Sequence, residues 1–287
     1  MFYLGLDAGG SKCAARLTDA QGHVLGEGLA GCANMRTGVV QVVSRLQDAY
    51  EQAIMHAGLD KHEHLKIIAG AGIAGIGREG ARTLMDAQPF PFVSIRFESD
   101  AHIALLGAHS GRDGGIVIIG TGSIGIGRVQ GQDIQVGGYG FPVSDEGSGA
   151  WIGLQAIRRT LRALDGRIPH SILSEKLLAR FARDSRAIIG WMDKASATDY
   201  AALAPMVADH AEKNDMIARE IFKSAARHIE MMVSSLLSAG VTRCSLGGGL
   251  ADRITPWLTE DIRNQIIAPD GDALDGALYL ARSTKKT

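Results

Sequence analysis

Residues 4–17 read LGLDAGGSKCAARL, and how this stretch is read decides the fold. Gly5 and Gly10 have the G-x-x-x-x-G spacing of a phosphate-binding P-loop, but Ser11-Lys12 follow where that motif requires Lys and then Ser or Thr. A P-loop also needs a helix starting at its lysine. Here residues 13–18 run straight into Asp19-Ala20-Gln21-Gly22, too short and too punctuated for one. A hairpin fits better, with strands at 3–6 and 13–18, a turn at 7–11, and a third strand at 24–27 beyond a turn at 19–22. Its turn carries a carboxylate, two glycines, a hydroxyl and a lysine. Successive backbone N–H groups in such a turn can cup an anion. A carboxylate beside phosphates repels them unless a cation stands between, which makes Asp7 the candidate magnesium position. The plain alternative is an ordinary glycine turn.

The same device recurs. Residues 116–119 read as a strand, Gly120-Thr121-Gly122-Ser123 as a turn, 124–129 as a strand and 131–133 as a turn. Sliding the chain by 112 residues sets Gly10 on Gly122, Ser11 on Ser123, Arg16 on Arg128 and Leu17 on Val129, with Ile119 opposite Asp7. A third cluster, Gly247-Gly248-Gly249, ends a strand at 242–246 and offers a flat surface suited to a base and ribose. Between these segments, 37–57 has helical apolar spacing closed by Gly58, 65–70 is a buried strand, and 93–97 is a strand before a helix at 100–109. Residues 150–239 are dominated by helices, the strongest at 215–239 with Gly240 closing it, and a last helix begins near Asp272. Strands mixed with helices, twice over, predict two α/β domains sharing a cleft.

Composition excludes several classes. The chain has 287 residues, 46% hydrophobic and 21% charged, enough for full cores in an ordinary globular protein. Its 30 basic and 31 acidic side chains leave a net charge of −1, without the basic excess of a nucleic-acid groove or an anionic-membrane binder. No apolar run suits a leader or a membrane span, so a cytoplasmic protein is expected. Cys13, Cys32 and Cys244 are scattered and form no C-x-x-C pair. Glycine, at 37 residues, is roughly twice its usual share and is spent in clusters.

The ordered set of segments resembles the actin-like ATPase and sugar kinase superfamily, and within it the BadF/BadG/BcrA/BcrD-type group that contains N-acetylglucosamine and bacterial glucosamine kinases. The set comprises Asp7-Ala-Gly-Gly-Ser, Cys32-Ala-Asn-Met, Ser99-Asp100-Ala101, Gly120-Thr-Gly-Ser, Gly137-Gly-Tyr-Gly with Ser144-Asp-Glu-Gly-Ser-Gly, Gly247-Gly-Gly, and 272–278. The resemblance implies two actin-like (ribonuclease H-like) domains with mixed sheets flanking a nucleotide and sugar cleft. The first would be 1–112 with the helix 272–287, the second 113–271 with a helical insertion at 150–240. It implies ATP-dependent transfer of the γ-phosphate to the 6-hydroxyl of N-acetylglucosamine or glucosamine, with ATP and Mg2+ as cofactors and a homodimeric state.

Residue by residue, the resemblance implies that Asp7, Gly9, Gly10, Ser11, Lys12, Gly120, Thr121, Gly122, Ser123, Gly247, Gly248 and Gly249 hold the nucleotide, with Asp7 toward the metal. It implies Asn34, Ala74, Gly75, Asp100, Gly138, Tyr139 and Asp145 at the sugar, with Asp100 as the base that takes the hydroxyl proton. The residues alone leave Asp100 and Asp145 equally readable as helix N-caps, with Ser99 the better cap of the first pair. Ile124 stands where some relatives carry an asparagine that touches the N-acetyl group. Lys12 is read as facing solvent or phosphate. His62 and His64 are read as a solvated helix end, His102 with His109 as no metal site, and Trp151, Trp191 and Trp257 as packing. A cluster-bridging activator ATPase is the sharpest rival, but 115–240 contains no cysteine. A sugar-sensing regulator would add a DNA-binding module, for which residue 3, already in a strand, leaves no room.

Overall fold

The computed structural model describes residues 1–60 and 66–283, so His62, His64 and the first residue of the strand expected at 65–70 lie outside the described residues. The chain divides into two compact units, Met1–Gly114 with Ala268–Thr287, and Gly115–Ile267.

In the first unit the opening stretch is a hairpin. Strands β1 (Phe2–Ala8) and β2 (Cys13–Thr18) pair antiparallel from Tyr3↔Thr18 to Ala8↔Cys13, and β3 (Val24–Ala30) continues the meander. β1 extends through Asp7, so the turn is Gly9–Lys12 and the acid stands on the strand rather than in the turn. The ladder holds it there, with Asp7 opposite Ala14 on one side and Gly72 on the other. Helix α1 (Val39–His56) buries the stripe Val42, Leu46, Ala49, Tyr50 and Ala53, and it ends where Gly58 takes φ +65°. Strand β4 (Ile67–Ile73) runs parallel to β1. After the short helix α2 (Ala81–Asp86), β5 (Ser94–Glu98) joins β4 in parallel and leads into α3 (Asp100–Ala108). The sheet order is β3-β2-β1-β4-β5.

In the second unit β6 (Gly114–Ile119), β7 (Ser123–Val129) and β8 (Gln132–Gly137) repeat the meander. The helices α4 (Gly149–Leu164), α5 (Ile172–Arg180), α6 (Ser185–Met192), α7 (Ala197–Ala201), α8 (Ala204–Glu212) and α9 (Met216–Ser238) follow. Strand β9 (Cys244–Gly247) pairs parallel with β6, giving the order β8-β7-β6-β9, the order of the first four strands over again. The repeat expected from the hairpins therefore holds at the level of the sheet. Its register differs from the offset of 112, by one residue on the first strand and by two on the second. Gly9 N–H donates to Lys12 O in the first turn, whereas Gly120 N–H donates to Gly122 O in the second, which is one residue shorter. Gly9 thus matches Gly120, and Ile119 matches Ala8 rather than Asp7. The second hairpin lacks the acid in either alignment.

Ile119, Ile152, Phe222, Ile229, Val233 and Leu236 centre the second core, against which Trp151, Trp191 and Trp257 pack from its edge. Short α10 (Ala251–Ile254) and α11 (Glu260–Arg263) precede the return to the first unit, where α12 (Ala273–Arg282) lies on β1, β4 and α3. The fit of α12 on α3 depends on two glycines. A Cβ on Gly276 would lie 1.7 Å from Ile103 O and one on Gly107 1.8 Å from Asp272 O, so no side chain fits between these helices. Arg16 fastens the N-terminal end of α12 to the hairpin. Its guanidinium takes both oxygens of Asp272 at 3.0 and 3.1 Å, Asp275 at 2.8 Å and Glu27 at 2.7 Å.

Candidate functional site

In the first unit the strand ends converge. The ladder aligns Asp7 of β1 with Gly72 of β4 and Gly72 with Glu98 of β5, and Asp100 follows two residues beyond that row. Ser99 caps α3, its hydroxyl accepting the His102 amide at 3.1 Å. The cap reading of Asp100 therefore falls away. As the first residue of the helix, Asp100 keeps its carboxylate for other work. Burial raises its pKa, opposed by the backbone N–H groups of Asp100 and Ala101. Asp7 is pushed up to about 6, first by burial, then by the charge of Asp100, with Lys12 opposing and Asp272 adding. Sequence reading gave Asp272 no part here. Its signal was local: Asp272 and Asp275 form a capping box at the start of α12, which places a carboxylate near the strand end.

The loop after β3 is tied to this row. Ala33 N–H donates to Gly9 O at 3.0 Å, Ala74 N–H to Ala8 O at 2.8 Å and Met35 N–H to Ala74 O at 3.0 Å. Asn34 and Ala74 form a parallel bridge, and Asn34 Oδ1 accepts the Arg36 amide at 2.9 Å. That leaves the Asn34 amide donors without a partner among the described residues. Gly75 takes φ +79°, and a Cβ on it would lie 3.0 Å from Asn34 Oδ1. Asn34, Ala74 and Gly75 thus form one corner beside the Gly9–Lys12 turn. Gly10, Ser11 and Lys12 are exposed.

In the second unit the loop that follows β8 folds back over the end of β6. Ser123 is buried, and its hydroxyl donates to Glu146 O at 2.8 Å, so what it can offer a ligand is backbone. The carbonyls of Gly120 and Thr121 accept the amides of Gly149 and Ala150 at 2.9 and 3.1 Å, locking the turn to the start of α4. Ser148 caps α4, so Asp145 is not its cap either. Asp145 is nearly buried at φ +66°, accepts the Gly140 amide at 3.2 Å, and brings Oδ2 to 2.6 Å from where a Cβ on Gly122 would stand. Gly138 takes φ +74° with its backbone against Ile124, while Tyr139 is 78% exposed. The predicted residues Gly120, Thr121, Gly122, Gly138, Tyr139 and Asp145 are therefore neighbours.

The glycine clusters separate into two kinds. Gly248 is required by the fold: φ is +87° and a Cβ would press to 2.5 Å from Ile119 O. At Gly10 and Gly249 a Cβ would meet nothing within 4 Å, and at Gly120 nothing closer than 4.0 Å. None of these three needs the left-handed region. Bare backbone kept clear where neither packing nor φ demands it fits the close approach of a phosphate or nucleotide. Magnesium fits as well. No group of three His, Cys, Asp or Glu among the described residues could cage a metal, and Mg2+ is commonly held by one or two carboxylates plus substrate phosphates and water. Asp7, crowded by two further carboxylates, is the group that such a cation would relieve.

Comparison with known proteins agrees with this picture. The chain is 38% identical to a glucosamine kinase of Vibrio cholerae, over 98% of this chain and 95% of that one. It is 29% identical to an N-acetylmuramic acid/N-acetylglucosamine kinase of Clostridium acetobutylicum, over 98% of each. A crystal structure from Chromobacterium violaceum, provisionally assigned as an N-acetylglucosamine kinase, superposes with a TM-score of 0.92 at 31% identity, covering 98% of this chain and 99% of the other. The model of the BadF/BadG/BcrA/BcrD ATPase family matches residues 4–281, and the chain belongs to that family.

Proposed function

We propose that this protein is an ATP-dependent amino-sugar kinase that transfers the γ-phosphate of ATP to the 6-hydroxyl of N-acetylglucosamine or glucosamine. The observation that carries the reading is the pair Asp7 and Asp100: two partly buried carboxylates at one edge of the sheet, the charge of the second raising the pKa of the first, one beside an open glycine turn and the other released from capping by Ser99. Full-length relatedness to amino-sugar kinases supports the choice of acceptor.

Asp100 is assigned as the base that accepts the hydroxyl proton, and its raised pKa suits a group that must take up a proton during the step. Asn34, Ala74, Gly75, Gly138, Tyr139 and Asp145 are assigned to the sugar. Gly9, Gly10, Ser11, Lys12, Gly120, Thr121, Gly122 and Gly247–Gly249 are assigned to the nucleotide, Ser123 through its backbone. Asp7 would hold Mg2+, which when bound neutralises phosphate charge. A homodimer in the cytoplasm completes the reading; among the described residues no helix is long and apolar enough to cross a membrane. The cluster-bridging activator reading is set aside because residues 115–240 lack cysteine.

A coupled assay of ADP release with glucosamine, N-acetylglucosamine, N-acetylmannosamine and glucose tests the proposal. Sugar is expected to raise ADP release many-fold, with an amino sugar best; ATP turnover indifferent to every sugar would defeat it.

A further inference from the structure

The first unit contains eight arginines. Six are tied to partners. Arg16 holds Glu27, Asp272 and Asp275, Arg45 holds Asp48, and Arg82 holds Glu98. Arg96 donates to Leu280 O and Ser283, Arg112 to Asp270, and Arg282 to Thr18 and Asp19 O. The remaining two, Arg36 and Arg78, have no side-chain hydrogen bond or ion pair among the described residues, and both stand at the Asn34–Gly75 corner. Arg36 donates its amide to Asn34 Oδ1 at 2.9 Å. Arg78 donates its amide to Gly75 O at 3.2 Å, and its Cδ lies 3.7 Å from the point above Gly75 that Asn34 Oδ1 approaches to 3.0 Å. Two permanent cations are thus held at one corner, each exposed and neither neutralised. Glu79, the acid next to Arg78, pairs with neither.

We propose that Arg78, with Arg36 beside it, is a specificity-determining residue of the acceptor site, which selects amino sugars whose nitrogen is acylated, and acidic ones above all, over those with a free, protonated amine. The inference rests on the kinase reading and on the assignment of Asn34 to the sugar. Acylation removes the cationic charge that two guanidinium groups would repel, and a carboxylate on the sugar gives them a partner they otherwise lack. Both residues stem from backbone that the corner needs in any case: the Asn34-capped turn that carries Arg36, and the left-handed Gly75 over which the stem of Arg78 passes.

The test compares kcat/KM for glucosamine, N-acetylglucosamine and N-acetylmuramic acid in the wild type, Arg78→Gln, Arg36→Gln and Arg78→Lys. In Arg78→Gln at about pH 6.5, the ratio of glucosamine to N-acetylglucosamine should rise about three- to tenfold, and the ratio of N-acetylmuramic acid to N-acetylglucosamine should fall by a similar factor. The first shift should vanish near about pH 9, where the free amine is neutral; a merely structural effect would persist. Arg36→Gln should move both ratios in the same senses by less, and Arg78→Lys should restore most of the wild-type pattern. Turnover with unaltered ratios, or with both ratios moving together, overturns this inference and leaves the kinase reading standing. Absence of turnover with every sugar overturns both.

Discussion

The charge of Asp100 reaches Asp7, so that ionising the first makes the second harder to ionise. The relationship arises in the sheet. Parallel pairing of β1, β4 and β5 brings the ends of non-neighbouring strands to one edge, and a hydroxyl one residue earlier relieves Asp100 of capping. Two acids held in this way strain the folded state, and the same strain readies them for a cation and a proton.

Replacing Asp7 by Asn should therefore stabilise the protein while destroying its activity. The folded pKa of about 6 lies above the ordinary carboxylate value of 3.8, so the folded state binds the proton more tightly than the unfolded chain does. Stability falls as pH rises through that window, and the penalty is complete above about pH 6. Asp7→Asn should gain on the order of 2 kcal/mol at pH 7 and little at about pH 4, with ATP turnover lost at both. Thermal unfolding at the two pH values checks it; an equal gain at both would assign the effect to packing.

Ser99 and Asp100 should separate under mutation. Asp100→Ala removes the proposed base and should lower kcat by about 10²- to 10⁴-fold while nucleotide affinity stays within about threefold. Ser99→Ala removes the cap and should cost about 1 kcal/mol of stability with a far smaller change in kcat. Titration calorimetry with ADP alongside steady-state kinetics distinguishes the two. If Asp100→Ala kept a near-normal rate, the base would have to be reassigned to Asp145.

Those two roles illustrate what sequence alone can carry. Ser before Asp at a helix start is a local pattern, and local patterns were legible: the hairpin and its repeat, the cap at Ser99, the helix start near Asp272, and the closing glycines at 58 and 240. β8 was missed because its first residues, Gln132 and Asp133, read as part of the turn, which leaves only Ile134 and Val136 to alternate before Gly137 and Gly138, too short a pattern to announce a strand. The slip in the repeat, one residue before the turn and two after it, was hidden because identical residues at the two turns suggested a register that the hydrogen bonds do not follow. The meeting of Asn34 with Ala74 and of Gly122 with Asp145 is non-local, set by pairing across the sheet and by a left-handed Asp145, and nothing in the residues near each announces it.

Arg16 should prove to be the clasp of the closing helix. Arg16→Met removes the bidentate pair with Asp272 and the contact with Asp275 at the start of α12, and the contact with Glu27 on β3, leaving Asp272 and Asp275 facing Glu27 uncompensated. Because those acids are about half exposed, the expected loss is about 1 to 2 kcal/mol rather than that of a buried network. Faster hydrogen exchange confined to 272–282 would show it. A uniform loss of protection across both units would argue instead for a general weakening of the fold.

The glycine clusters give the sharpest contrast. Gly10→Ala and Gly249→Ala place a methyl group in open space at positions outside the left-handed region, so stability should hold or rise by up to about 1 kcal/mol. The same methyl groups would stand where a nucleotide must approach the backbone, and the KM for ATP should rise at least about tenfold. Gly248→Ala should do the reverse. At φ +87° and 2.5 Å from Ile119 O, it should cost about 2 to 4 kcal/mol and lower the yield of folded protein before any effect on ATP is measurable. Melting temperatures and ATP titrations on the three variants decide the matter. If Gly10→Ala or Gly249→Ala bound ATP as the wild type does, the bare backbone there would be an accident of the chain and not the floor of a nucleotide site.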